Sequence, residues 1–405
     1  MVDVAMTDTL VLRFADVGIA TYASLRVVGE PSRTITWVVE QQALETACDA
    51  LNSALPDPSG SETALAAIER ALTTGAFASF DAELGLARTL GSELVAAEGW
   101  KLLSEFSGCT SSQRAVLFVT PSPRLARVPW GQLAMPGAEG FRLMELADVL
   151  MAVPPNIVHA PRAPVRWRDR QNGPAVLLLD PRIPGQRPDS TLGSVLGRPS
   201  PQAALTRHFG ELMDGHPVLP AVGAPVELFR RSDIDRDWLA WACAQHPARL
   251  LYVGHASAAE GTVGHAELAA LHLAEDRPLT AADMMATRLS IPPRVALLAC
   301  SSGGDYRFDE ATGLAAAMIL GGAELVTATL WSLPTAAAYS QFGSHPTDPM
   351  ADTVAEVDRA HRGEDAGRAV SRWQRAQLRR WRDGDRAATP LHWAAVMSFA
   401  VDGAR

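Results

Sequence analysis

Lysine is almost missing from this chain: Lys101 is the only one, so arginine carries the positive charge. Asp and Glu outnumber Lys and Arg by 45 to 36, for a formal net charge of −9. That balance argues against the broad basic footprint by which nucleic-acid binders hold phosphates. Cysteine is scarce as well. The four cysteines, Cys48, Cys109, Cys243 and Cys300, are widely scattered with no C-x-x-C pair, which speaks against a disulfide frame or a zinc site and for thiols in a reducing cytoplasm. The opening residues, MVDVAMTDTLVLRF, show no basic start leading into an apolar core, so no signal peptide is expected. The most apolar long window, GLAAAMILGGAELVTATLWSL at residues 313–333, could span a membrane by length. Gly321, Gly322 and Glu324 divide it, and a buried helix–turn–strand is the better reading. No P-loop, strand-borne GxGxxG, HExxH or GxSxG occurs, which leaves nucleotide, zinc-peptidase and serine-hydrolase readings little support.

What is present is a soluble, globular composition, 47% hydrophobic and 20% charged, over 405 residues. That length suits two packed domains or one domain with a companion half. TLVLRFADVGIATYASLRVVG and RTITWVVE read as strands rich in β-branched residues, and QQALETACDALNSAL as a helix. Residues 61–106 look largely helical, with a break near TTGAF. AVLFVTP and PAVLLLDP are short apolar runs bounded by turn signals, as buried strands are, and a long Pro/Gly/Ser-rich loop follows the second. From residue 233 the pattern becomes regular. DIDRDWLAWACAQHP, LTAADMMATRLS and TGLAAAMILGG are helices, alternating with the strands ARLLYVGH, RVALLAC and AELVTATLW. Alternation of helices with continuous apolar strands predicts a mainly parallel α/β sheet covered on both faces. In such sheets, sites form at the carboxyl ends of strands.

Two of those strands run into reactive residues, one into Gly254-His255 and one into Cys300. A cysteine nucleophile needs a base to make its thiolate and donors to hold the oxyanion it creates. Neighbouring parallel strands can set such a pair side by side, and one helical crossover lies between them. Gly254, Ala256 and Ser257 flank the histidine, and Ser301, Ser302, Gly303 and Gly304 follow the cysteine, leaving room for a substrate backbone. A second copy of the tetrapeptide VGHA centres on His265. It follows turn residues rather than a strand, so His265 is read as a loop residue and His255 as the functional one.

The segments LLYVGHAS, LTAADMMATRL and VALLACSSGGDYRFDEATGLAAAMILGGAELVTATLWSL resemble the core of the CHAT-domain family of caspase-like, separase-related cysteine peptidases. RAVLFVTPSPRLARVPWGQLAMP, AVLLLDP and TPLHWAAVMSFAVDG extend the resemblance over at least residues 80–403. It implies a caspase–hemoglobinase-like α/β/α sandwich with a mainly parallel sheet in two caspase-like halves. Residues 1–165 would hold the N-terminal strands, helices and a pseudo-caspase half, and 166–405 the active half. His255 would be the base and Cys300 the nucleophile, with the backbone N–H groups of Cys300 and Ala256 as the oxyanion hole. No cofactor or metal is implied. The implied partner is a protein substrate, co-encoded and cut in a bacterial defence or signalling setting, with an activating protein as a further partner; neither nucleic acid nor membrane is expected.

Three features depart from the family pattern. Ala256 stands where glycine is usual, and would be strained if the backbone there needed a positive φ. Leu330-Trp331-Ser332-Leu333-Pro334-Thr335 lacks the acid that favours a basic residue before the cut in separase-like enzymes. Asp180, Asp305 or Asp309 would have to supply one, and Trp331 is a candidate pocket wall. No helical repeat of about 34 residues is found. Two other readings stay open: a CHAT-fold scaffold that binds without cutting, and a Cys–His amidase or acyl-transfer enzyme acting on small molecules. Finally, Arg368, Arg372, Arg375, Arg379 and Arg382 recur at helical spacing, which reads as the solvated face of an amphipathic helix rather than a ligand patch.

Overall fold

The computed structural model describes residues 8–106, 114–137, 139–187, 190, 192–258, 265–307, 313–343 and 348–401, without the side chains of Asp305 and Tyr306. The chain divides into two compact units, Met1–Ala152 with Ser371–Ala394, and Val153–Val370 with Ala395–Arg405. The segment Ser371–Ala394, which a linear division at 165/166 leaves with the second half, therefore belongs to the first unit.

In the first unit, β1 (Thr9–Asp16) and β2 (Ala20–Val27) form a hairpin, with Leu10 opposite Val27 and Asp16 opposite Thr21. Alternation is clear on β1, where Leu10, Leu12 and Phe14 are buried and the intervening residues are not. β3 (Thr34–Glu40) adds antiparallel to β2. On the other side β4 (Val116–Thr120) pairs parallel to β1, and β5 (Asp148–Ala152) parallel to β4. The helices Gln41–Ala54, Ala64–Thr73, Phe80–Leu94 and Ala97–Ser104 complete the unit. Gly91 lets the third of these press close to its neighbour, since an added Cβ would fall 1.9 Å from the Ala134 carbonyl oxygen.

The arginine series differs from its expected solvated role. Arg368 and Arg375 are buried. Within the first unit, Arg375 Nη1 bonds Asp148 Oδ1 at 2.7 Å and Arg382 Nη1 bonds Glu145 Oε1 at 2.7 Å. The helix Ala366–Arg382 thus turns part of its charged stripe inward, where carboxylates meet it.

The second unit is built on β6 (Ala175–Leu179), β7 (Val218–Leu219), β8 (Arg249–Val253), β12 (Arg294–Leu298), β13 (Leu325–Thr329) and β14 (Val396–Ala400). β9 (Ala256–Ser257), β10 (Ala270–Leu271) and β11 (Leu279–Thr280) form a separate small antiparallel sheet. The large-sheet order here is β14-β13-β12-β8-β6-β7, parallel throughout except β14 against β13. Every residue of β6, β8, β12, β13 and β14 is buried, as strands covered on both faces require. The helices Arg236–Ala244, Ala281–Thr287 and Leu314–Leu320 fall where the apolar spacing puts them. Asp235 caps the first through the Trp238 N–H at 2.8 Å, and Thr280 and Asp283 form a capping box on the second. The window at 313–333 resolves into helix, glycine turn and strand. Among the described residues no helix is long and apolar enough to cross a membrane.

Candidate functional site: the carboxyl edge of β8 and β12

The pairing of β8 with β12 sets the site. The two strands run parallel with Val253 opposite Leu298, roughly 4.8 Å apart. His255 and Cys300 each lie two residues past that last pair, so they leave the same edge of the sheet from adjacent strands. Both are partly buried.

The approach to His255 is fixed by Tyr252. Its buried hydroxyl lies 2.6 Å from the His255 carbonyl and 2.8 Å from the His272 carbonyl, tying the end of β8 to the segment after β10. Gly254 is required between them, because an added Cβ would sit 2.7 Å from the Tyr252 hydroxyl. On the imidazole, Nε2 stands 3.2 Å from the Gly193 carbonyl. A carbonyl only accepts, so Nε2 carries the proton of the neutral ring and Nδ1 keeps a lone pair. Burial holds the His255 pKa below the ordinary histidine value, outweighing the Gly193 carbonyl and Asp180. Burial thus biases the His255 ring toward its neutral form.

Cys300 sits in a tight turn closed by the Ser302 N–H on the Ala299 carbonyl at 3.1 Å. Ser301, the next corner, has φ 49°, where glycine is favoured. The turn is held onto β13. Ser302 Oγ donates to Leu297 O at 2.6 Å and accepts the Thr329 N–H at 3.1 Å, and the Gly303 N–H bonds Thr329 O at 2.9 Å. A non-glycine residue in left-handed conformation, over-determined by its surroundings, is the kind of strain that clusters at working sites.

Ala256 does not need glycine's freedom. It lies in the extended strand β9, opposite Leu271 of β10, and has no positive φ. The condition under which alanine would be strained here is not met. The His272 N–H bonds the His255 carbonyl at 3.0 Å, and alternate residues of an antiparallel ladder face opposite ways. The Ala256 N–H accordingly points away from β10.

The other residues singled out from the sequence fall in different surroundings. Asp180, at the end of β6, is fully buried, and its carboxylate accepts from Ser194 Oγ, the Val195 and Leu196 N–H groups and Arg230. Trp331 is wholly buried just past β13. Asp305 lies in the short helical turn Gly304–Arg307, its side chain outside the described residues, as are Asp309 and Cys109. His265 is exposed and pairs with Glu267 at 3.3 Å; the residues just before it, including the rest of the second VGHA, lie outside the described residues. Sequence reasoning overlooked Gly193, Ser194, Arg230 and His272. The last is nearly buried, its Nε2 2.6 Å from Ser257 Oγ. Among the described residues no cluster of His, Cys, Asp or Glu could hold a metal ion.

A mainly parallel α/β unit that brings a histidine and a cysteine to adjacent strand ends, beside a strained turn and an outward N–H, has the parts a thiol-dependent acyl-transfer site needs. Sequence comparison names the family. The CHAT domain matches residues 85–401, and the chain belongs to the CHAT-domain family. Two structures of the Saccharomyces cerevisiae separase–securin complex are similar in fold, each at 11% identity, with TM-scores of 0.48 and 0.44. The matches cover 98% and 97% of this chain and 30% of the separase chain in each case, so the chain spans under a third of that protein's length. The comparison with curated proteins finds no match.

Proposed function

We propose that the protein is a cysteine endopeptidase working through a His255–Cys300 dyad, cutting a protein partner at a limited number of bonds. The observation that carries the reading is the register of β8 on β12, which delivers both residues to one edge. In the reaction, Nδ1 of His255 takes the Cys300 thiol proton and the thiolate adds to a peptide carbonyl. The Cys300 and Ala256 N–H groups hold the resulting oxyanion. As the tetrahedral species collapses, the imidazolium gives its proton to the leaving amine, and a thioester remains. Water, deprotonated by His255, then hydrolyses the thioester and restores the thiol. The step needs no metal or organic cofactor. We place the dyad in the second unit and give the first the role of a structural companion.

The extended backbone at Ala256 supports turnover rather than a binding-only scaffold. By family analogy, the substrate is a co-encoded protein in a bacterial defence or signalling system. The test is co-expression with the products of neighbouring genes, comparing the wild type with Cys300→Ala. New fragments of one partner, cut at a mapped bond and seen with the wild type alone, are the expected result. The same fragments with both chains would sink the proposal.

A further inference from the structure

Asp180 is a costly residue to leave where it is. It is fully buried, at φ 55°, in a sheet-end position that a neutral side chain would fill more cheaply. Its donors say what it holds. Oδ2 accepts from Ser194 Oγ at 2.6 Å and from the Val195 and Leu196 N–H groups at 3.2 and 3.3 Å. Oδ1 takes Arg230 Nη1 at 3.3 Å, and the same Nη1 reaches the Gly193 carbonyl at 2.9 Å. That carbonyl is the one bonded to Nε2 of His255. Arg230 too is in left-handed conformation, φ 55°, so two strained residues converge on one loop.

We propose that Asp180 is a positioning residue for the dyad: its carboxylate clamps the loop at 193–196, and the loop's Gly193 carbonyl fixes the ring and tautomer of His255. This rests on the reading of His255 and Cys300 as catalytic. It differs from a role for Asp180 in binding a basic substrate side chain, since donors of this chain already occupy both carboxylate oxygens. A carbonyl held by a buried charge keeps the proton on Nε2 and turns Nδ1 to the thiol, as outer partners do for metal-bound histidines. Among the described residues, the charged and titratable groups around His255 are Asp180, Arg230, His272 and Cys300.

The test uses the full chain and iodoacetamide, a small neutral alkylating agent that needs no side-chain pocket, with Cys300 modification read by peptide mass spectrometry from pH 5 to 9. In the wild type, Cys300 should react well below the pH range of an ordinary thiol, and His255→Ala should remove that advantage. Asp180→Asn should slow Cys300 alkylation at pH 6.5 by roughly 10-fold to 100-fold and move the profile toward that of an ordinary thiol. Ser194→Ala, a milder loss at a partly exposed side chain, should do the same by about 3-fold. With a peptide substrate, kcat should fall while KM holds. An unchanged alkylation profile in folded Asp180→Asn, or a loss confined to KM for basic peptides, overturns the proposal. If His255→Ala also leaves the wild-type profile unchanged, the dyad itself fails, a result distinct from failure of the clamp alone.

Discussion

β8 and β12 present two unlike edges, paired arginines at the amino ends and the proposed dyad at the carboxyl ends. Both begin on an arginine, Arg249 beside Arg294 in register. Two like charges side by side and nearly buried would repel, and the fold answers each with its own partner. Arg249 is ion-paired to Asp358, which also accepts from Arg362 and meets His208 Nε2 at 2.8 Å. Arg294 donates to the carbonyls of His361, Gly363 and Glu364, and lies 3.8 Å over the Trp167 ring. Here both arginines have their counter-charge or carbonyls. At the carboxyl edge the logic reverses. Asp180 and Ser301 are left-handed, His255 is biased toward its neutral form, and an N–H faces outward. Under the proposed function the amino edge serves stability and the carboxyl edge reactivity, so changes at the two should separate cleanly.

The largest effect should come at the carboxyl edge, where the proposed dyad lies. Cys300→Ala and His255→Ala should each lower cleavage by more than about 10³-fold while thermal unfolding stays near wild type. His265→Ala should retain most activity, because that ring is exposed and paired only with Glu267. Cleavage of the partner substrate, followed by gel with a melting curve for each variant, checks all three.

The reverse pattern is expected at the amino edge. Burial would raise the Asp358 pKa, yet the arginines and His208 hold it well below the usual carboxylate range. Asp358→Asn leaves Arg249 buried without its counter-charge, and removing one partner of such a pair costs about 3–5 kcal/mol. Urea unfolding should show that loss, with residual activity per folded molecule unchanged.

A pH test divides the edges again. His361 is fully buried, its Nε2 2.8 Å from Thr327 Oγ1, and burial with the neighbouring arginines pushes its pKa down to about 3. The unfolded chain takes up this proton near pH 6.5, whereas the folded chain resists it until about pH 3, so stability is lost as pH falls through that window. Between pH 6.5 and 5 the loss should be about 2 kcal/mol from this residue alone. His255 and His272, also shifted down by burial, act in the same direction. His361→Gln should therefore make the urea midpoint visibly less dependent on pH, without flattening it.

The carboxyl edge was easier to see in the sequence than what supports it. An apolar run followed by Gly-His, and another followed by Cys, mark strand ends because a buried parallel strand admits little else, and four of the six large-sheet strands of the second unit are visible this way, while β14 came only with the family resemblance. The two-residue strand Val218–Leu219 and the helices Ala204–Gly215 and Pro349–Ala360 carry weaker signals and were missed. The contacts around the His255 ring were hidden for a different reason. Its acceptor is a backbone carbonyl at Gly193, and the arginine that shares it is Arg230, far along the chain. Backbone acceptors leave no mark on residue type. The inward arginines of Ala366–Arg382 were misread on similar grounds, as Arg375 meets an aspartate 227 positions away.

The smallest effect is the most direct probe of strain. Ser301 takes its φ of 49° in a turn secured by Ser302 and Gly303 on either side of the sheet contact. Ser301→Gly removes the Cβ conflict but gives the unfolded chain more freedom to lose, so the two terms oppose each other and the net gain should stay below about 1 kcal/mol. If the turn merely tolerates the strain, activity follows stability and stays level. If strain holds the Cys300 N–H toward the oxyanion, relaxing it should lower kcat several-fold while the melting temperature holds or rises. Paired kcat and melting measurements on Ser301→Gly decide between these, and a fall in kcat at undiminished stability is the outcome expected from a turn locked onto β13 at both Ser302 and Gly303.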